Sequence, residues 1–154
     1  MTVLDLPPRT GVPTGASVMD ERTRCRIGYL LVACGLALLP WLVMLATGFP
    51  AVAGSAQESL TWVGLDSLEA VGLVSTGLLV LGRDPRSILA ASATAVLLLA
   101  DAWFDTTTAS SGDLVSALAM AVGAELPLAA LCAVLTVRGF PLAASLISGP
   151  PSGR

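Results

Sequence analysis

The sequence contains no histidine and no lysine; all eight basic residues are arginine. The missing histidine removes the commonest general base at neutral pH and the commonest transition-metal ligand. Charge is scarce, at 12% of residues, against about 25% in an ordinary soluble domain. Such a chain has lipid as its main solvent. Only three cysteines occur, Cys25, Cys34 and Cys132, none of them in a CxxC pair. That excludes a disulfide framework and a thiolate zinc site, and leaves small packing residues in apolar surroundings. Aromatics make up 5%, and no basic stretch is interleaved with them, which excludes nucleic-acid binding.

What is present is hydrophobic sequence, 55% of 154 residues, with a mean hydropathy of +0.82. It falls into four runs, 27–49, 60–82, 87–106 and 113–137. Each is close to the roughly 20 residues that about 30 Å of hydrocarbon demands of a helix. The connections are short, so neighbouring helices are expected to alternate in direction. The fold predicted is all-α: a polytopic, four-transmembrane-helix up-down-up-down bundle over residues 27–140. Residues 1–26 begin with Pro, Gly, Ser and Thr without periodicity and read as a disordered cytosolic tail. Residues 141–154, broken by Pro and Gly, read as a short cytosolic tail.

The arginines set the orientation. Arg22, Arg24 and Arg26 precede the first run, Arg83 and Arg86 separate the second from the third, and Arg138 follows the fourth. The two remaining loops carry no basic residue. The positive-inside rule therefore predicts a multi-pass protein with both termini cytosolic. Ala51-Val52-Ala53 resembles a signal cleavage site, but the run before it exceeds the usual 7 to 15 residues of a signal core. An uncleaved first helix is expected.

Five acidic residues interrupt the apolar runs: Asp66, Glu69, Asp101, Asp105 and Glu125. Each costs on the order of 3 kcal/mol at bilayer depth, so such residues face the bundle interior and mark function. Asp66 and Glu69 are spaced i,i+3, and Asp101 and Asp105 i,i+4, which puts each pair on one helix face. The face of the second helix continues through Trp62, Leu73, Thr76 and Val80, and that of the third through Thr94 and Ala90. The fourth aligns Glu125 with Leu118, Ala121, Ala129, Cys132 and Thr136. With this topology Asp66 and Glu69 lie about 9 to 14 Å below the outer end of their helix at about 1.5 Å per residue. Asp101 and Asp105 are near the outer end of theirs and Glu125 is deepest. All five are expected to line one acidic cavity opening outward, with the first helix as a packing wall. Trp62 and Trp103 read as interfacial belt residues, Asp84 and Asp113 as surface or cap residues. Pro40 and Pro127 are expected to bend their helices, Pro127 freeing a carbonyl beside Glu125.

The strings WVGLDSLE (62–69), TAVLLLADAWFDTTTA (94–109) and AELPLA (124–129) resemble those of an uncharacterised family of small four-helix membrane proteins from high-GC Gram-positive bacteria. The resemblance implies a plasma-membrane location and stresses the same acids; it implies no reaction.

Three functions fit these residues. The first is binding or transport of a cation or cationic ligand. A divalent ion such as Mg²⁺ or Ca²⁺ on Asp66, Glu69, Asp101 and Asp105 suits an all-oxygen site, and a transport pathway would call for a homodimer. The second is an enzyme acting on lipid head groups at the outer leaflet, with carboxylates as acid and base or as metal ligands. The Asp-Gly-Ala-Arg signature of the CDP-alcohol phosphotransferases is lacking. The third is an accessory subunit whose acids pair with arginines of a larger membrane complex.

Overall fold

The computed structural model describes residues 20–47 and 56–147, and within them every regular element is a helix. They are α1 (Glu21–Ala46), α2 (Ala56–Leu81), α3 (Ser87–Thr108), α4 (Leu114–Met120), a π-helical turn (Ala121–Glu125) and α5 (Leu126–Ile147). The last three run on without a break. Four stretches are long and apolar enough to cross a bilayer: Glu21–Met44, Leu60–Leu81, Ser87–Thr108 and Leu114–Gly139. The second has a mean hydropathy of only 1.5, against 2.2 for the first, because Asp66 and Glu69 interrupt it.

Helix ends and apolar ends do not coincide. Residues 21–26 belong to α1, although composition assigns them to a tail, and α2 starts at Ala56 instead of residue 60. The fourth span continues helically through Gly139 and Pro141 to Ile147, where the sequence reading ends it at 137. Hydropathy marks the borders of the hydrocarbon, whereas backbone hydrogen bonding carries a helix past them into polar sequence. Residues 1–19, the stretch around Ala51-Val52-Ala53 and residues 148–154 lie outside the described residues.

The packing inverts that of a soluble bundle. Large aliphatics such as Leu89, Val115 and Val137 point outward, while Asp66, Glu69, Thr76, Thr94, Asp101 and Glu125 are buried between helices. That arrangement suits lipid, where an outward apolar surface costs nothing and an outward polar group does. The apolar core is small: Leu31 from α1, Leu73 from α2, Ala91, Ala95 and Leu98 from α3, and Ala129 with Cys132 from α5.

Close approach fixes the register. A Cβ placed on Gly77 would lie 2.6 Å from the Gly28 carbonyl oxygen, and one on Gly35 would lie 2.8 Å from that of Ala70. The backbones of α1 and α2 therefore touch, as small residues permit. From Gly28–Gly77 through Gly35–Ala70 to Trp41–Asp66, rising numbers in α1 meet falling numbers in α2. The same reversal relates α3 to the fourth span, where Ile88 meets Gly139 and Asp101 meets Glu125.

One end of the molecule is pinned by arginine. Glu21 pairs with both Arg24 and Arg83. Arg24 also donates to the Val80 and Leu81 carbonyl oxygens at the end of α2, at 3.3 and 3.0 Å. Arg83 has φ 57, the left-handed conformation that closes a helix. With it come the paired bonds Asp84 N–H to Leu79 O and Arg83 N–H to Val80 O.

Candidate functional site

The acids gather at the other end. On α2 the predicted face is the buried one: Asp66, Glu69, Leu73, Thr76 and Val80 are all buried, with Trp62 half-buried at its edge. On α3, Thr94 and Asp101 are buried and Asp105 and Ala90 are half-buried. Register explains how distant acids meet. Thr76 and Thr94 share a hydrogen bond of 3.1 Å, and Gly72 leaves room for Thr94, since a Cβ there would sit 2.7 Å from its hydroxyl. Seven residues back along α2 and seven on along α3, two helical turns each way, stand Glu69 and Asp101.

Glu125 comes from the π-helical turn, where the Leu126 N–H reaches back five residues to the Ala121 oxygen. Pro127, which follows at once, has no N–H to restore the α pattern. The irregularity expected at Pro127 thus takes the form of a π turn just before it, a feature that recurs at functional sites. It also shifts the register. Glu125, Ala121, Ala129 and Cys132 are buried and Thr136 is half-buried, but Leu118 is 47% exposed and α4 buries no residue at all. The sequence reading places Leu118 on the Glu125 face because it counts in uniform α turns.

Asp101, Asp105 and Glu125 each bring one carboxylate oxygen to within 4.8 Å of the others. Asp101 is 7% and Glu125 5% exposed, while Asp105 is half-buried. Asp101 Oδ1, Glu125 Oε2 and Glu69 Oε1 are buried and have no hydrogen-bond partner. These three oxygens are closed to water, while Asp105 beside them is half-buried. No arginine offsets them: the ion pairs among the described residues both involve Glu21, at the opposite end.

Asp66 and Glu69 come from α2, and Glu69 is buried with its Oε1 unpartnered. Asp66 Oδ2 instead accepts a 3.0 Å hydrogen bond from the Trp41 indole N–H. Of the metal set expected from sequence, Asp66, Glu69, Asp101 and Asp105, the two α3 acids fall in the converging group, and Glu125 joins them. Trp41 also makes α1 more than a packing wall. Its signal was an indole N–H in an aliphatic run, which needs an acceptor wherever water is absent.

Several other polar groups are locally satisfied. Thr106, Thr107 and Thr108 donate to carbonyls of their own helix. Asp84 accepts from the Arg86 N–H, and Asp113 from the Ser110 hydroxyl. Trp103 points outward, in keeping with an interfacial residue. In chemical terms the cluster offers hard, anionic oxygen ligands crowded in a dry setting, with no imidazole in the sequence and no thiol in the group. No protein family, curated protein or solved structure matches the chain.

Proposed function

We propose that this chain is a plasma-membrane protein, spanning four times in up-down-up-down order with both termini cytosolic, that binds a cation between its helices. One observation carries the reading: three buried carboxylates, Glu69, Asp101 and Glu125, each keep an oxygen without any partner, beside a half-buried fourth, Asp105. A buried anionic oxygen left unpaired costs several kcal/mol, and a bound positive charge relieves all three at once. Among the described residues the ion-paired arginines, Arg24 and Arg83, lie at the opposite end, and the spread of arginines along the sequence supports the topology under the positive-inside rule. On strings 62–69, 94–109 and 124–129 we place the chain with the small four-helix membrane proteins of high-GC Gram-positive bacteria.

The test is equilibrium dialysis of the purified full-length protein against Na⁺, K⁺, Mg²⁺, Ca²⁺, Mn²⁺ and methylammonium. Metals are quantified by elemental analysis and the amine by NMR. The reading expects one of these to be retained stoichiometrically by the native protein and released by the Asp101→Asn, Glu125→Gln double variant. Retention of none, or equal retention by both proteins, contradicts it.

A further inference from the structure

Resting on the cation reading above, we propose that the occupant is a hard divalent cation of the Mg²⁺, Ca²⁺ and Mn²⁺ class, held by Asp101, Asp105 and Glu125 with Glu69 as the fourth carboxylate ligand.

Scale is the first argument. Oxygens on opposite sides of an ion bound at about 2.3 to 2.6 Å stand about 4.6 to 5.2 Å apart, and adjacent ones stand closer. Three oxygens that all lie within 4.8 Å of one another approach the spacing of such a shell.

Access is the second argument. The unpartnered oxygens of Glu69, Asp101 and Glu125 present less than 1 Å² of surface each. A bare ion needs far less room beside such closely packed oxygens than an organic cation, which must bring its carbon skeleton with it. Ligand chemistry is the third. Carboxylate oxygens alone select hard ions, while zinc and copper recruit imidazole or thiolate. The sequence has no histidine, and the buried Cys132 is not in the group.

Glu69 is the independent observation. It comes from a different helix, is 3% exposed, and its Oε1 has no partner. Its level is set by the Thr76–Thr94 register, which puts Glu69 and Asp101 two turns beyond that contact on facing helices. Asp66 is left out of the shell because its Oδ2 is engaged by Trp41 and none of its oxygens is among the buried unpartnered ones.

The experiment follows Mn²⁺ binding to the full-length protein in detergent through loss of the free-ion electron paramagnetic resonance signal. Native protein is expected to take up one Mn²⁺ per chain, displaced by Ca²⁺ or Mg²⁺ and not by methylammonium. Asp101→Asn, Glu125→Gln and Glu69→Gln should each weaken binding on the order of tenfold or more, and Asp66→Asn by less than about threefold. Glu69→Asp, which keeps the carboxylate, should bind more tightly than Glu69→Gln, separating lost ligation from lost packing. Unchanged affinity in Glu69→Gln overturns its ligand role. Carboxylate-dependent binding of methylammonium without binding of any divalent ion overturns the divalent assignment and leaves the cation reading standing. Binding of neither overturns both.

Discussion

Thr76 and Thr94 face each other across α2 and α3 with hydroxyl oxygens 3.1 Å apart, both side chains fully buried. Thr94 spends its own proton on the Ala90 carbonyl, 2.8 Å away, so Thr76 is the donor between them. Thr76→Val therefore leaves Thr94 satisfied and should cost about 0.6 to 1 kcal/mol. Thr94→Val strands the Thr76 proton in an apolar layer and should cost more. Reversible unfolding in mixed micelles ranks the two, and the opposite order contradicts this assignment of donor and acceptor.

Gly77 lies against the backbone of α1. Its missing Cβ would meet the Gly28 carbonyl oxygen at 2.6 Å, so a larger residue must push α1 away from α2. Gly77→Val should destabilise by about 1 to 3 kcal/mol. Gly64, with nothing within 4 Å of its Cβ position, should accept Ala without loss. Equal tolerance at both positions, measured by the same unfolding assay, argues against backbone contact between these helices.

Much of the architecture is legible from spacing alone. Four apolar runs mark four spans, and a 4-3 stripe picks out the buried face of α2 from Asp66 to Val80. What spacing misses has physical causes. The π turn adds a residue to one turn of the fourth span, so Leu118 leaves the face on which uniform α counting puts it. Trp41 meets Asp66 across 25 positions of sequence, through a tertiary register that no single helix displays. The same register decides that Glu125, and not Asp66, converges with Asp101 and Asp105.

The Trp41–Asp66 bond lends itself to a double-mutant cycle. Trp41→Phe removes the donor and keeps most of the ring, and Asp66→Ala removes the acceptor. A hydrogen bond to a carboxylate in this setting should give a coupling energy of about 1 kcal/mol or more. A coupling near zero means that Trp41 and Asp66 act independently and that α1 is a packing wall after all.

Topology is tested by accessibility. In a background with Cys25, Cys34 and Cys132 replaced by Ala, Ser110→Cys should react with a membrane-impermeant thiol reagent on intact cells. Ser17→Cys should react only after the cells are opened. The reverse pattern contradicts the orientation inferred from Arg22, Arg24, Arg26, Arg83, Arg86 and Arg138.

If a cation resolves the crowding of Asp101, Asp105, Glu125 and Glu69, it must stabilise the fold that brings them together. Ligand present at a hundredfold excess over its dissociation constant stabilises a folded state by about 2.7 kcal/mol. The decisive measurement is thermal unfolding of the purified protein at neutral pH in rising Ca²⁺, Mg²⁺ or Mn²⁺, beside the Asp101→Asn, Glu125→Gln double variant. The melting midpoint of the native protein should climb with the logarithm of cation concentration. That of the variant should start higher in the absence of cation, because its repulsion is relieved, and should stay flat. A native midpoint indifferent to all three ions, or a variant that climbs as steeply, contradicts a divalent site in this cluster.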